Sequence, residues 1–407
     1  MYIHTYIHIY VYVCMYVCMM YNFTEYFILY KNHNDIYIYI LKIMKNNSWL
    51  IFNFMYVYYT SLVKTEYSRR IFSGIQPTGN VHLGNYLGAI QKWVELQNSE
   101  KIVIWSIVDM HSITLPHVRE LKIYNTLTAT LLACGIDPQK SILFQQSDIS
   151  MHSELCWILG CITTMARLGH LPQFKEKSEN LKNIPLGLYI YPVLQAADIL
   201  LYRATDVPVG QDQAQHIQLA QDLANSFNKR YGDTFPIPRT LICDDASKRI
   251  KSLRDPSKKM SKSDKDFKSR LDLTDKPDVL LEKVKKAVTD FTSEVYYEPE
   301  TRPGVSNLIA IHSLLTGKSP EEICKDAQGL DTGKYKLVLA DVIIQKLRPI
   351  QEEIFRLLNE QLYLDEVLKI GSQKAMELAF DCYSDVKNKI GFERNVAGKE
   401  KTKYFVH

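Results

Sequence analysis

Lys258, Lys259, Met260, Ser261, Lys262 and Ser263 crowd three ammonium groups and two hydroxyls around one methionine. Like charges this close repel each other unless an anion sits among them. The residue types suit a polyphosphate: the lysines neutralise charge, while hydroxyls and loop amides orient the oxygens. An exposed basic linker is the plain alternative. Far earlier, His82-Leu83-Gly84-Asn85 opens a helical pattern. A helix N-terminus offers unpaired N–H groups and a partial positive charge, so it attracts phosphate. Gly84 removes a side chain where a flat purine could lie, and His82 and Asn85 can donate to phosphoryl oxygens whose charge grows during reaction. Four residues alone also fit an ordinary turn with a capping Asn.

The elements that position these motifs alternate. Arg69–Gln76 reads as a strand, residues 77–85 as a turn-rich loop, Asn85–Gln97 as a helix and Ile102–Val108 as a continuous apolar strand. Such runs suit parallel strands covered on both faces, and strand, loop, helix, strand is a βαβ unit. A helix ending at Gly135 and Pro138, a strand over Ser141–Asp148, and a strand over Asp206–Gly210 running into a helix extend the pattern. The expected fold is α/β, a Rossmann-like doubly wound parallel sheet over residues 68–271, with ligands beyond the carboxyl ends of its strands. Met151–Leu188 reads as a helical insertion. From Asp272 to about residue 392 the pattern is amphipathic helices without strands, a C-terminal all-helical domain, followed by a tail over 393–407.

At 407 residues, two domains are expected. Apolar residues at 46% and charged residues at 23% describe a globular chain, not a disordered one. A net charge of +4 says little about partners, but Lys251–Arg270 holds eight basic residues against three acidic ones, a patch suited to phosphate or nucleic acid or, more plainly, a solvated face. The eight cysteines form no Cys-x-x-Cys pair and no zinc spacing with histidine, so reduced thiols and no metal site are expected. No clean apolar run of about 20 residues predicts a membrane span.

The first residues differ from the rest. Met1–Met20 uses only Met, Tyr, Ile, His, Thr, Val and Cys, each of which has a codon alternating purine and pyrimidine. No Ala, Gly, Pro, Gln or Arg precedes Arg69. Residues 1–67 therefore read as translated AT-rich non-coding DNA, a gene-model artefact, rather than as an Arg- and Ser-rich transit peptide or a β-rich membrane or aggregating segment.

An H-x-G-N helix start after the first strand, paired with K-M-S-K-S closing a doubly wound domain, resembles the class I aminoacyl-tRNA synthetases. The stretches FSGIQPTGNVHLGNYLGA, IVDMHSIT, QFKEKS, YPVLQAADILLY, VPVGQDQAQHI and DPSKKMSKSD are similar to those of bacterial and organellar tryptophanyl-tRNA synthetases, from about Ile71 to about Gly391. The resemblance implies ligation of L-tryptophan to tRNA(Trp) through an adenylate, with ATP and its accompanying Mg2+. It implies catalytic roles for His82, Asn85, Lys177, Lys259 and Lys262. For ATP it implies Gln76, Pro77, Thr78, Gly84, Asn85, Gly210, Gln211, Asp212, Ile250, Lys259, Met260, Ser261, Lys262 and Ser263. For tryptophan it implies Phe72, Val207 and Val209 as apolar walls, His111, Tyr191 and Gln213 as polar partners, and Asp198 as acceptor of the indole N–H. Gln195 stands where many bacterial members carry Met. Asp198 could instead cap a following helix, and Lys177 could be a surface lysine.

The family also implies a homodimer that binds one tRNA across both subunits, with no membrane. Rivals are a tyrosyl-tRNA synthetase, a small-molecule nucleotidyltransferase with the same motifs, and a non-catalytic RNA-binding relative. Bacterial-type motifs behind an intron-like N-terminus suggestive of a eukaryotic gene point to the mitochondrial matrix, with the expected transit peptide missing or misannotated and a bacterial cytoplasm as the alternative.

Overall fold

The structure, a computed structural model, describes residues 67–114, 121–179, 181–242, 250–262 and 264–392. The readings made for residues 1–66, for Ser263 and for the tail lie outside them. Tyr67 onward forms one compact unit.

Five strands, β1 (Ile71–Ile75), β2 (Val103–Ile107), β3 (Ile142–Gln145), β4 (Asp206–Val209) and β5 (Arg239–Ile242), make a wholly parallel sheet in the order β3-β2-β1-β4-β5. Every residue of β2 is buried, as a strand sandwiched between helical layers must be. The chain leaves β1 toward β2 and β3 on one side, then returns to β4 and β5 on the other. The strand order reverses between β1 and β4, which opens a crevice at their carboxyl ends. The doubly wound expectation is met. Strand β5 had no strong sequence signal; it is a four-residue edge strand paired only with β4.

Helix α1 follows β1 as Leu83–Asn85, a π-helical turn Tyr86–Ile90, and Gln91–Ser99. It starts two residues before the expected span Asn85–Gln97, within the HLGN motif, with His82 as the N-cap. Then come α2 (Asp109–Ser112), α3 (Leu121–Ala133), α4 (Met151–Gly160), α5 (Met165–Gly169), α6 (Pro172–Ser178) and α7 (Leu186–Leu201). Helix α7 is apolar nearly all round and buries eleven of its side chains, as a helix enclosed by its neighbours requires. Helix α8 (Ala214–Tyr231) links β4 to β5.

The C-terminal helices are α9 (Pro277–Lys285), α10 (Pro303–Thr316), α11 (Pro320–Asp326), α12 (Thr332–Leu358) and α13 (Gln361–Ile390). The sequence pattern carried α9 on to Phe291, but Lys286 caps it and the chain turns away. The largest apolar cluster runs without a break from Ile71 and Trp105 to Leu347 and Leu368, so these helices share a core with the sheet.

Helix α13 crosses directly over β3. A Cβ built on Gly371 would run into the carbonyl oxygen of Leu143, so only glycine allows this approach. Gly371→Ala should destabilise the fold by about 1–3 kcal/mol, the usual cost of overpacking. A denaturant midpoint equal to that of the parent would show that the helix does not press on the strand as described.

Candidate active site

Two clusters of polar side chains line the ends of the strands. The first joins the two motifs. Leu83 donates its N–H to Leu271 O and Leu273 donates to Val81 O, both at 2.8 Å, and His82 pairs with Asp272 as an antiparallel bridge. The lysine segment folds back as a tight hairpin: Lys251 pairs with Lys259, Ser252 donates to Lys258 O at 2.9 Å, and Met260 donates to Ile250 O at 3.3 Å. Met260 and Ile250 are buried, in the same cluster as Leu83 and Leu271. The methionine is the hairpin's anchor, and it lies 3.8 Å from the point where a Cβ on Gly84 would sit.

At the start of α1, His82 Nδ1 accepts from Asn85 N–H while Asn85 Oδ1 accepts from His82 N–H, each at 3.3 Å. Accepting at Nδ1 puts the ring proton of a neutral imidazole on Nε2. Burial, reinforced by Lys262, Arg270 and Lys259, lowers the His82 pKa to about 3, so the ring is neutral at pH 7 and offers a donor. Asn85, with Oδ1 engaged, likewise has its NH2 end to offer. Desolvation lowers the Lys262 pKa to about 8, opposed by Asp272. Of the remaining nucleotide candidates, Pro77 is buried, Thr78 partly so and Gln76 exposed at the end of β1. Gly74, within β1, is exposed although its neighbours Phe72 and Ser73 are buried; the sequence reading passed over it.

Gly210 directly follows β4, and a Cβ added to it would stand 2.6 Å from Asp212 Oδ1. Asp212 lies in the 3-10 turn Gln211–Gln213 directly ahead of α8, and its Oδ2 accepts from Gln213 Nε2 at 2.7 Å and Gln173 Nε2 at 3.3 Å.

The second cluster surrounds Asp198. This residue sits in the last turn of α7, so the idea that it caps a following helix is overturned. It is 1% exposed. Its Oδ1 accepts from Gln146 Nε2 and His152 Nδ1, both at 2.7 Å, and its Oδ2 meets His111 Nε2 at 2.8 Å. Burial works to raise its pKa, but the hydrogen bonds from His111 and His152 outweigh that and hold it well below the usual carboxylate range. Gln146 is oriented by Met110 N–H, which donates to its Oε1 at 3.1 Å. Asp109 ties the ends of β2 and β3 together by accepting from Met110 N, Ser147 N and Gln145 Nε2, each at 3.0 Å.

The remaining amino-acid candidates gather here. Phe72 and Val207 are buried in the apolar cluster that also holds Tyr202, and half-buried Val209 packs on it. Tyr191 faces His111 edge-on at 6.4 Å, and its hydroxyl lies 3.2 Å from Gln173 Oε1 and 3.3 Å from His216 Nε2. Gln213 Oε1 joins Gln195 Nε2 at 3.3 Å and His216 Nδ1 at 2.9 Å. Burial, then Lys177, lowers the His216 pKa to about 4, so it is neutral. Lys177 places its ammonium 4.6 Å over the Tyr191 ring, which attaches it to this second cluster rather than to Lys259 and Lys262.

Gln146, His152, Tyr202, Gln173 and His216 were not singled out from sequence. Gln146 follows the carboxyl end of β3, where strand-end reasoning would have found it. Gln173, Tyr202 and His216 stand within the stretches QFKEKS, YPVLQAADILLY and VPVGQDQAQHI, and His152 lies inside α4 with no local signal.

Residues 64–348 match the family described as tRNA synthetases class I (W and Y). A tryptophan–tRNA ligase of Wolinella succinogenes is 46% identical over 327 residues, 79% of this chain and 98% of that protein. Among solved structures, tryptophanyl-tRNA synthetase of Mycoplasma pneumoniae superposes with a TM-score of 0.70 at 33% identity, covering 80% of this chain and 98% of that one. The Campylobacter jejuni enzyme complexed with ADP and tryptophan gives 0.68 at 31%, covering 79% and 99%. The chain thus belongs to the class I aminoacyl-tRNA synthetases, in the tryptophanyl-tRNA synthetase family of bacterial type.

Proposed function

We propose that this chain ligates L-tryptophan to tRNA(Trp) in two steps, and that Asp198 selects the amino acid. The observation that carries the reading is a buried carboxylate held ionised by its donors and linked through His152 to Tyr202, whose ring stacks on Phe72. Indole has one N–H and no acceptor, so it complements such a site. Phenylalanine would leave the carboxylate short of a partner, and tyrosine would bring its hydroxyl to a different place. Tyr191, Gln213 and His111 orient the polar end of the substrate.

The tryptophan carboxylate, ionised at pH 7, attacks the α-phosphorus of ATP and expels pyrophosphate. No protein nucleophile or base is needed; positioning and charge stabilisation do the work. ATP enters with its Mg2+. The start of α1 receives the phosphates, Nε2–H of neutral His82 and the Asn85 amide donate to them, and Lys259 and Lys262 neutralise the departing pyrophosphate. Asp212, ahead of α8, accepts from the ribose hydroxyls. This first step leaves tryptophanyl-adenylate. The terminal ribose hydroxyl of tRNA then attacks its acyl carbon, the acyl–phosphate bond breaks, and AMP departs as the hydroxyl proton is lost. The basic stretch Lys251–Arg270 and the C-terminal helices serve tRNA, so its affinity falls with salt.

The reading includes two further parts. The compartment is the mitochondrial matrix, because bacterial-type motifs follow a stretch with the composition of AT-rich non-coding DNA. The protein works as a homodimer: Trp157 on α4, Met165 on α5 and Leu186 on α7 are 72%, 76% and 71% exposed on helices that pack together, and large exposed apolar side chains gathered this way favour association. No helix among the described residues is long and apolar enough to cross a membrane.

ATP–pyrophosphate exchange that requires tryptophan tests the central reading; exchange with tyrosine instead would replace it. Lys262→Ala should slow adenylate formation about a hundredfold or more, the scale of losing one transition-state charge partner, with tryptophan binding nearly unchanged in equilibrium titration. Because the Lys262 pKa is depressed to about 8, the ammonium is charged below that pH and loses its proton above it. ATP affinity should therefore fall as pH rises through about 8, and Lys262→Arg, which stays charged, should abolish that inflection. Light scattering should give about twice the chain's 47.2 kDa, with Trp157→Asp combined with Leu186→Asp reducing it to the single-chain mass; a monomeric parent would refute the dimer.

A further inference from the structure

The Asp198 carboxylate can accept at about four lone-pair positions, two on each oxygen. Gln146 and His152 take both positions on Oδ1, and His111 takes one on Oδ2. Among the described residues, one position on Oδ2 is left for a ligand. Which direction that position faces depends on what fixes the plane of the carboxylate.

His152 is the strongest candidate. It is fully buried, and its two ring nitrogens are both engaged: Nδ1 lies 2.7 Å from Asp198 Oδ1, and Nε2 lies 2.8 Å from the Tyr202 hydroxyl. Tyr202 is itself fully buried, and burial pushes its pKa well above the usual tyrosine value, so it keeps its proton. The hydroxyl donates to Nε2, which leaves the imidazole proton on Nδ1, pointing at Asp198. The histidine ring also lies nearly flat against Phe144, with centroids 5.9 Å apart and 24° between planes. It can neither flip nor shift without breaking two buried hydrogen bonds.

Tyr202 does a second job. Its ring stacks on Phe72 at 5.4 Å and 12°, and Phe72 is a wall of the proposed indole pocket. One tyrosine thus couples the wall to the acceptor.

We infer that Tyr202 and His152 form a positioning relay that fixes the tautomer facing Asp198 and aims Oδ2 at the N–H of the substrate, so that discrimination for a ring N–H depends on two residues that do not themselves touch the substrate. This rests on the tryptophan reading above.

The experiment compares kcat/KM in pyrophosphate exchange for tryptophan and for the analogue in which sulfur replaces the ring N–H (3-benzothienylalanine), with Tm measured on each variant. His152→Leu should reduce the preference for tryptophan about 10- to 100-fold, the scale of one hydrogen bond to a charged group, mainly by raising the KM for tryptophan. His152→Asn, whose amide NH2 can stand where Nδ1–H stood, should restore most of the preference. Tyr202→Phe should fall between, because Nε2 loses the donor that fixed the tautomer. Should His152→Leu fail to fold, Tyr202→Phe decides the matter alone.

Equal losses for both amino acids, leaving the ratio at the parent value while Tm drops, would reduce His152 to a packing role and overturn the relay. A parent enzyme indifferent to tryptophan would instead overturn the function itself, which is a separate outcome.

Discussion

The splice between residues 81–83 and 271–273 is the constraint on which the nucleotide side depends. Two backbone hydrogen bonds and a β-bridge hold the start of α1 against the segment that leaves the lysine hairpin. Without them the chain would carry a phosphate-attracting helix end and a cluster of ammonium groups with no fixed relation. With them, His82 is buried within the field of Lys262, Arg270 and Lys259, and burial first, then those cations, sets its protonation. A cationic imidazole beside three other cations would be costly, so the ring is neutral and acts through the direction of its one N–H. Charge stabilisation is thereby divided: the lysines supply charge, and His82 supplies a directed donor.

The amino-acid side has the opposite sign and is built in the opposite way. Burying a carboxylate is expensive unless donors meet it, and Asp198 is met by three. Those donors come from the ends of different elements: His111 from α2 after β2, Gln146 from the turn after β3, and His152 from α4. The parallel sheet brings these strand ends to one edge, and Asp109 clamps β2 to β3 there. The fold and the pocket therefore rest on the same residues, because misplacing β3 would move two of the three donors.

Much of this was legible in sequence, for a physical reason. Motifs that bind phosphate are local, since a helix start or a short loop carries its own donors, so HLGN and KKMSKS stand out as strings. A buried polar network has no such local form. His152 and Tyr202 come together only because α4 packs on α7, and histidine in a helix looks the same whether it faces solvent or a carboxylate. Strand β5 was missed because an edge strand of four residues buries too little to force a pattern. That His82 and not Asn85 caps α1 was not legible, because it caps through its ring nitrogen, a role that cap preferences assign to Ser, Thr, Asp or Asn.

The two clusters also differ in how they can respond to a ligand. On the amino-acid side the polar groups are mutually satisfied before substrate arrives, with Gln195, Gln213, His216, Tyr191 and Gln173 linked in one chain. Such a network resists rearrangement, since breaking a bond to Tyr191 or His216 would strand a buried partner. On the phosphate side Lys262 is held with its pKa depressed by desolvation, a condition that a phosphate relieves. The first side is rigid and selects by what fits; the second carries an electrostatic strain that only the polyphosphate discharges. Binding a polyphosphate therefore favours the charged form of Lys262, while the hydrogen-bonded network on the amino-acid side is already formed.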